Sequence, residues 1–145
     1  TAHKSDTPDG SVYCADVNFS GGADYWQYVV KENPEFGKTW KAHGRNALRL
    51  WIMSGPGNVP LDKNERIQLQ FRETDEGDRW SYQVGIQLNT PGWQQIVVPF
   101  KAMIPGGGNG NRIFELENIT DFRIYGRYNK APVHLRLDKI EVFTQ

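Results

Sequence analysis

Apolar and polar residues alternate along most of the chain, in short runs broken by Gly, Pro, Asn and Asp. A period of two over a few residues marks a strand with one buried face. The pattern predicts strands over residues 11–19, 25–31, 46–54, 65–73, 79–88, 93–100, 120–127 and 132–143. Turns are predicted at Ser20-Gly21-Gly22, Gly55-Pro56-Gly57-Asn58, Asp75-Glu76-Gly77-Asp78, Asn89-Thr90-Pro91-Gly92, and from Pro105 to Asn111. No run of ten or more residues carries a helical period, and neither a repeat nor a linker interrupts the chain. About eight antiparallel strands in a single domain, 1–145, imply an all-β fold. The expected architecture is a two-sheet antiparallel β-sandwich, a jelly roll.

The same alternation assigns side chains to faces. Ile67, Leu69 and Phe71 share one face of their strand, and Gln68, Gln70 and Arg72 share the other. Phe122 and Ile124 point inward, with Arg123, Tyr125 and Arg127 opposite. Leu48, Leu50 and Ile52 point inward, with Arg49, Trp51 and Met53 opposite. Trp80, Tyr82, Val84, Ile86 and Leu88 form a core-facing row, so most aromatics of this region are structural. Ile96, Val98 and Phe100 are buried, and Trp93 plugs one end of the sandwich. The positions left over, including Gln83, Gly85, Gln87 and Gln95, are read as extending one polar face.

Amides, guanidinia and rings dominate that face where Lys, Glu and Thr would suffice for solubility. Gln and Arg each offer several planar hydrogen-bonding groups, and a Tyr or Trp ring can lie against the C–H face of a pyranose. The competing reading is an ordinary solvated face with cross-strand pairs. The chemistry favours a sugar. Loop aromatics form a second candidate group: Tyr25, Trp26 and Tyr28 follow a Gly-Gly turn, and Trp40 sits among charged residues and glycines. Trp26 and Trp40 could stack on a sugar or close the end of the sandwich.

Composition narrows the partner. Lys+Arg and Asp+Glu number 17 each, so the net charge is near zero. Nucleic acid and anionic membranes both select basic surfaces, so neither is expected here. Aromatics reach 12% against a hydrophobic content of only 38%. Cys14 is the one cysteine, which excludes an intrachain disulfide and a Cys-based zinc site. It reads as a small buried hydrophobe. No apolar run approaches the roughly 18 residues that span a bilayer. The chain begins at Thr1 and shows no signal peptide, as expected of a mature fragment or excised module.

Catalytic constellations are weak. Asp75, Glu76 and Asp78 surround Gly77 in a predicted solvated hairpin loop. Glu65, Glu73, Glu115 and Glu117 form no visible pair of the kind a glycosidase needs across its cleft. The run Pro105–Asn111 has the glycines of a phosphate loop without its Gly-Lys-Ser/Thr, and reads as a flexible connection. His3, His43 and His134 are too scattered for zinc. The enzymatic alternative is a small sandwich lyase or hydrolase using Arg72, Tyr125 and His134.

The segments WQQIVVPFKAMI, LENITDFRIYG and VHLRLDKIEVF together resemble the closing half of family 11 carbohydrate-binding modules and their jelly-roll relatives, family 61 among them. The likeness covers roughly residues 65–145. It implies a non-catalytic module with ligand lying across a concave sheet face, here Gln68, Gln70, Arg72, Arg123, Tyr125 and Arg127. It also implies a structural calcium, for which Asp16 and Asp138 are the candidate ligands. Read from the residues alone, both could equally cap turns or pair with Arg or Lys. The expected ligand is a neutral β-linked polysaccharide of the glucan or galactan class. The expected setting is a secreted, monomeric module attached to a glycoside hydrolase.

Overall fold

The computed structural model describes residues 2–4, 13–22, 24–54, 66–74, 77–84 and 89–145. Within them lie β1 (Ala2–Lys4), β2 (Tyr13–Phe19), β3 (Tyr25–Glu32), β4 (Ala47–Ser54) and β5 (Arg66–Glu73). Then come β6 (Arg79–Gln83), β7 (Gln94–Pro99), β8 (Ile104–Gly107), β9 (Ile119–Arg127) and β10 (Val133–Phe143). They form two five-stranded sheets, ordered β1-β2-β10-β4-β7 and β3-β9-β5-β6-β8, hereafter the first and second sheets. Neighbouring strands are antiparallel throughout. The two-sheet antiparallel sandwich expected from the alternation is the fold.

Inward residues follow the predicted parity. Leu48, Leu50 and Ile52 of the first sheet and Ile67, Leu69, Phe71, Phe122 and Ile124 of the second are buried in one core cluster. Trp80 and Val84 are also buried, and Tyr82 packs against the same cluster. Gly85, Ile86, Gln87 and Leu88 lie outside the described residues, as do Glu65 and the turn expected at 55–58. An aromatic layer fills one end: Phe71 meets Phe100 at 5.4 Å, Phe122 at 5.7 Å and Trp40 at 5.5 Å between ring centroids. These separations suit edge-to-face and offset ring contacts.

Besides the short strand β1, which the pattern did not predict, two features depart from expectation. A helix, α1 (Phe36–Ala42), stands between β3 and β4. It begins where the Asn33 side chain accepts the Glu35 N–H at 2.8 Å, and it ends before Gly44 at φ 62°. Its i,i+4 pair Phe36 and Trp40 stacks at 5.0 Å and seats the helix on the core. A Cβ on Gly37 would run into the Leu116 carbonyl, so only glycine lets α1 approach that turn. Beside it, a hydrogen bond from Lys41 lowers the Glu117 carboxyl from its ordinary pKa. Any stability from this exposed pair is present above the unfolded carboxylate range and is lost as pH falls through the lowered value.

The second departure is β8, inside the glycine-rich run read as a flexible connection. Its backbone pairs with β6, Arg79 opposite Gly107 and Trp80 opposite Pro105. Asp78 pins the chain just beyond β8. Its buried carboxylate accepts N–H bonds from Gly110 at 3.1 Å and Arg112 at 2.5 Å. That acid is therefore a staple for the loop, in place of the solvated turn residue expected; Asp75 and Glu76 lie outside the described residues.

Candidate functional site

The outward side of the second sheet is ordered by strand register. Gln27, Tyr125, Gln68 and Gln83 sit directly across from one another on β3, β9, β5 and β6. One step along, Tyr25, Arg127 and Arg66 form a neighbouring row. One step the other way, Arg123, Gln70 and Ser81 are aligned, and beyond them Asp121, Arg72 and Arg79. All six residues expected on the face, Gln68, Gln70, Arg72, Arg123, Tyr125 and Arg127, are on this one side.

Burial divides them. Asp121 is fully buried, and its carboxylate accepts from Arg123 Nε at 2.8 Å and Nη2 at 2.6 Å. Arg72 Nε lies 3.1 Å from the same carboxylate. The third guanidinium nitrogen used, Arg123 Nη1, donates to Gln27 Oε1 at 2.5 Å. Gln70 is buried as well and donates to Ser81 Oγ at 3.2 Å. Arg123 and Gln70 are therefore committed within the sheet, where parity alone presented them as free donors. Arg123 is taken up by a carboxylate, with which a guanidinium makes strong charge-assisted hydrogen bonds.

The accessible part is the Gln27–Tyr125–Gln68–Gln83 row with its Tyr25–Arg127–Arg66 flank. Tyr25 is 63% exposed, and its ring lies 6.4 Å from that of Tyr125 with 20° between their planes. Arg127 covers the Tyr128 ring at 4.7 Å. The face thus presents two nearly parallel phenol rings among amides, flanked by locked ion-pair rows. Gln27 and Asp121 were missed as site residues, although both share outward parity with residues that were chosen.

The three tryptophans assigned to ligand lie elsewhere. Trp26 is buried, stacks on Phe19 at 5.1 Å and donates its indole N–H to Asn129 Oδ1 at 2.7 Å. It belongs to β3, whose inward parity carries it into the core. Trp40 packs on Phe36, Phe71 and Phe100, the end-closing role of its two readings. Trp51 does point outward, but from β4, which pairs with β10 and β7 in the first sheet. Gln95, opposite Trp51 on β7, is on that sheet too. Neither can join the Tyr125 face, because the core lies between them.

The proposed catalytic group is likewise divided. His134 is on β10 of the first sheet, 3.3 Å from Asp16, whereas Arg72 and Tyr125 are on the second. Asp16 and Asp138, the calcium candidates, lie on the neighbouring strands β2 and β10. Arg136 Nε and His134 Nε2 each lie 3.3 Å from Asp16 Oδ1, a cationic setting. Asp138 Oδ1 accepts the Lys139 N–H at 2.8 Å. Calcium takes six to eight oxygen ligands, and among the described residues no three His, Cys, Asp or Glu side chains gather to hold a metal. The described surroundings do not fit calcium at this pair. Thorough chelation is expected to leave the melting temperature unchanged. A fall that added calcium reverses would overturn that expectation.

No family profile matches the sequence, and no curated protein does. Solved structures do. The family 11 carbohydrate-binding module of the cellulosomal cellulase Lic26A-Cel5E of Clostridium thermocellum superposes with a TM-score of 0.65 at 18% identity, over 94% of this chain and 77% of that one. A family 11 module from the same organism, in complex with a β-1,3-1,4-mixed-linked tetrasaccharide, gives 0.63 at 19% identity, over 93% and 78%. The family 30 module of the C. thermocellum cellulosomal cellulase Cel9D-Cel44B gives 0.66 at 14% identity, over 100% and 82%. This chain shares the two-sheet sandwich fold of those modules. The resemblance drawn from the closing segments is thereby supported at the level of fold and extends over nearly the whole chain, well beyond the half that suggested it.

Proposed function

We propose that the chain is a non-catalytic carbohydrate-binding module whose second sheet takes a neutral β-linked polysaccharide, of the glucan or galactan class, across its outer face. One observation carries the reading. Tyr25 and Tyr125 set nearly parallel rings beside Gln27, Gln68 and Gln83, all on strands rather than loops. Rings supply the apolar contact a pyranose needs, and amides supply both donors and acceptors for its hydroxyls. The Asp121–Arg123 network beside it holds Gln27 in place before ligand arrives, which reduces the ordering cost of binding. Support for the ligand class comes from the similar family 11 module solved with a mixed-linked tetrasaccharide. Support for an extracellular setting and an attached glycoside hydrolase comes from the cellulosomal context of the similar modules. The module, itself monomeric, would act by keeping that enzyme at high effective concentration on its substrate.

Calorimetry against a soluble mixed-linked β-glucan and a β-galactan tests this. Each hydrogen-bonding partner removed typically costs about 0.5–1.5 kcal/mol, with ring contact in addition. Tyr125→Ala is therefore expected to weaken binding several-fold to about a hundredfold, with the melting curve retained. Affinity should vary little with salt, since the ligand is uncharged. Reducing-sugar assays on the bound glycans should stay at background. Undiminished affinity in Tyr125→Ala and Tyr25→Ala together would remove the site from this face.

A further inference from the structure

Away from the glycan face, a cavity of about 630 Å³ opens between α1 and the ends of both sheets. Phe36 and Trp40 of α1, Leu48 of β4, Phe122 of β9, and Ile140 and Val142 of β10 wall it. Small-molecule sites commonly run to about 300–1,000 Å³ and join apolar walls to a few placed polar groups. The register of β10 shifts between Asp138 and Glu141, with Lys139 at φ 46°, and this bulge sets Ile140 at the mouth, partly exposed.

Three titratable side chains on the lining fix what the cavity can accept. Glu141 is already neutralised, its two oxygens held by Arg49 Nε at 2.9 Å and Nη2 at 3.0 Å. His43 Nδ1 lies 2.8 Å from the Thr39 carbonyl. A carbonyl only accepts, so Nδ1 carries a proton, and in the neutral form of the ring Nε2 is the acceptor. Arg45 is half-buried, and its guanidinium has no hydrogen-bond or ion-pair partner among the described residues. The lining therefore combines aromatic walls with one uncompensated cation. A wholly apolar occupant would make no use of that guanidinium, and a dianion would find a single counter-charge.

We propose that this cavity is a second, independent binding site, for a small aromatic monocarboxylate. The carboxylate pairs with Arg45, whose planar fork matches it. The ring lies among Phe36, Trp40 and Phe122, and a hydroxyl on the ring donates to His43 Nε2.

Titration of 3-(4-hydroxyphenyl)propanoate, its primary amide and hexanoate into the whole chain, monitored by NMR and Trp fluorescence, tests the assignment. The aromatic acid should bind saturably, and the amide and hexanoate should each bind about tenfold more weakly or worse. Arg45→Gln should lose the acid by the same factor with an unshifted melting point, because its guanidinium has no partner among the described residues. Arg45→Lys should fall between. Tyr125→Ala should bind the acid as the parent does, which separates this site from the glycan face whether or not that face binds sugar. Equal affinity for acid and amide, an unaffected Arg45→Gln, hexanoate binding as tightly as the aromatic acid, or no binding by the parent would each overturn the proposal.

Discussion

Phe71→Ala is expected to destabilise the domain by about 3–5 kcal/mol, the range for removing a fully enclosed aromatic side chain. Phe71 has no solvent exposure and touches the rings of Trp40, Phe100 and Phe122. It is where the two sheets and α1 meet, so its loss leaves a void that three elements border and none can fill alone. For a domain of this length the melting temperature should fall on the order of 10 °C. Differential scanning calorimetry decides the matter: a variant melting within a few degrees of the parent would mean that the end layer is not packed as described. Phe71→Leu, which keeps most of the volume, should recover a large part of the loss.

Phe71 was legible in the sequence because strand parity is a local signal. The run Ile67, Leu69, Phe71 declares its own inward face, as do Leu48, Leu50, Ile52 and Phe122, Ile124. Parity reports in or out and nothing about which sheet a strand joins. Trp51 and Gln95 were accordingly grouped with Gln68 and Tyr125, though β4 pairs with β10 and β7, and β5 with β6 and β9. Apart from the β5–β6 hairpin, those pairings rest on contacts distant in sequence. α1, at seven residues, is shorter than any window in which a helical period shows. β8 is held by its backbone, so a Pro-Gly-Gly run carried no alternation to read.

Trp26 left a fainter signal that could have been used. An isolated glycine inside a strand pattern marks a close approach. Gly126 in β9 is such a glycine, paired with Trp26, and a Cβ there would strike the indole. At the candidate site the outward set was readable, but its division into committed and accessible members was not. That division depends on which charges meet across strands. Arg123 finds Asp121 two residues away on its own strand and Gln27 on the next.

Asp121→Ala is expected to cost about 3–5 kcal/mol as well, for a different reason: it leaves a buried charge unpaired. Asp121 is fully buried and neutralises Arg123, itself almost fully buried, through two hydrogen bonds of 2.8 and 2.6 Å. It also meets Arg72 at 3.1 Å. Without it, two guanidinia crowd one face with no counter-charge. Restoring the balance should restore the fold: Arg123→Met in the Asp121→Ala background replaces the cation by an apolar chain of similar length and should return much of the stability, since buried ion pairs are often exchangeable for well-packed apolar groups. Denaturant unfolding of the single and double variants measures the coupling. The proposed glycan face supplies the second readout. Arg123 Nη1 holds Gln27, the direct cross-strand partner of Tyr125, so the double variant should fold yet bind glycan more weakly than the parent. If Asp121→Ala loses less than about 1 kcal/mol, the ion-pair network is not what orders this sheet, and preorganisation of Gln27 falls with it.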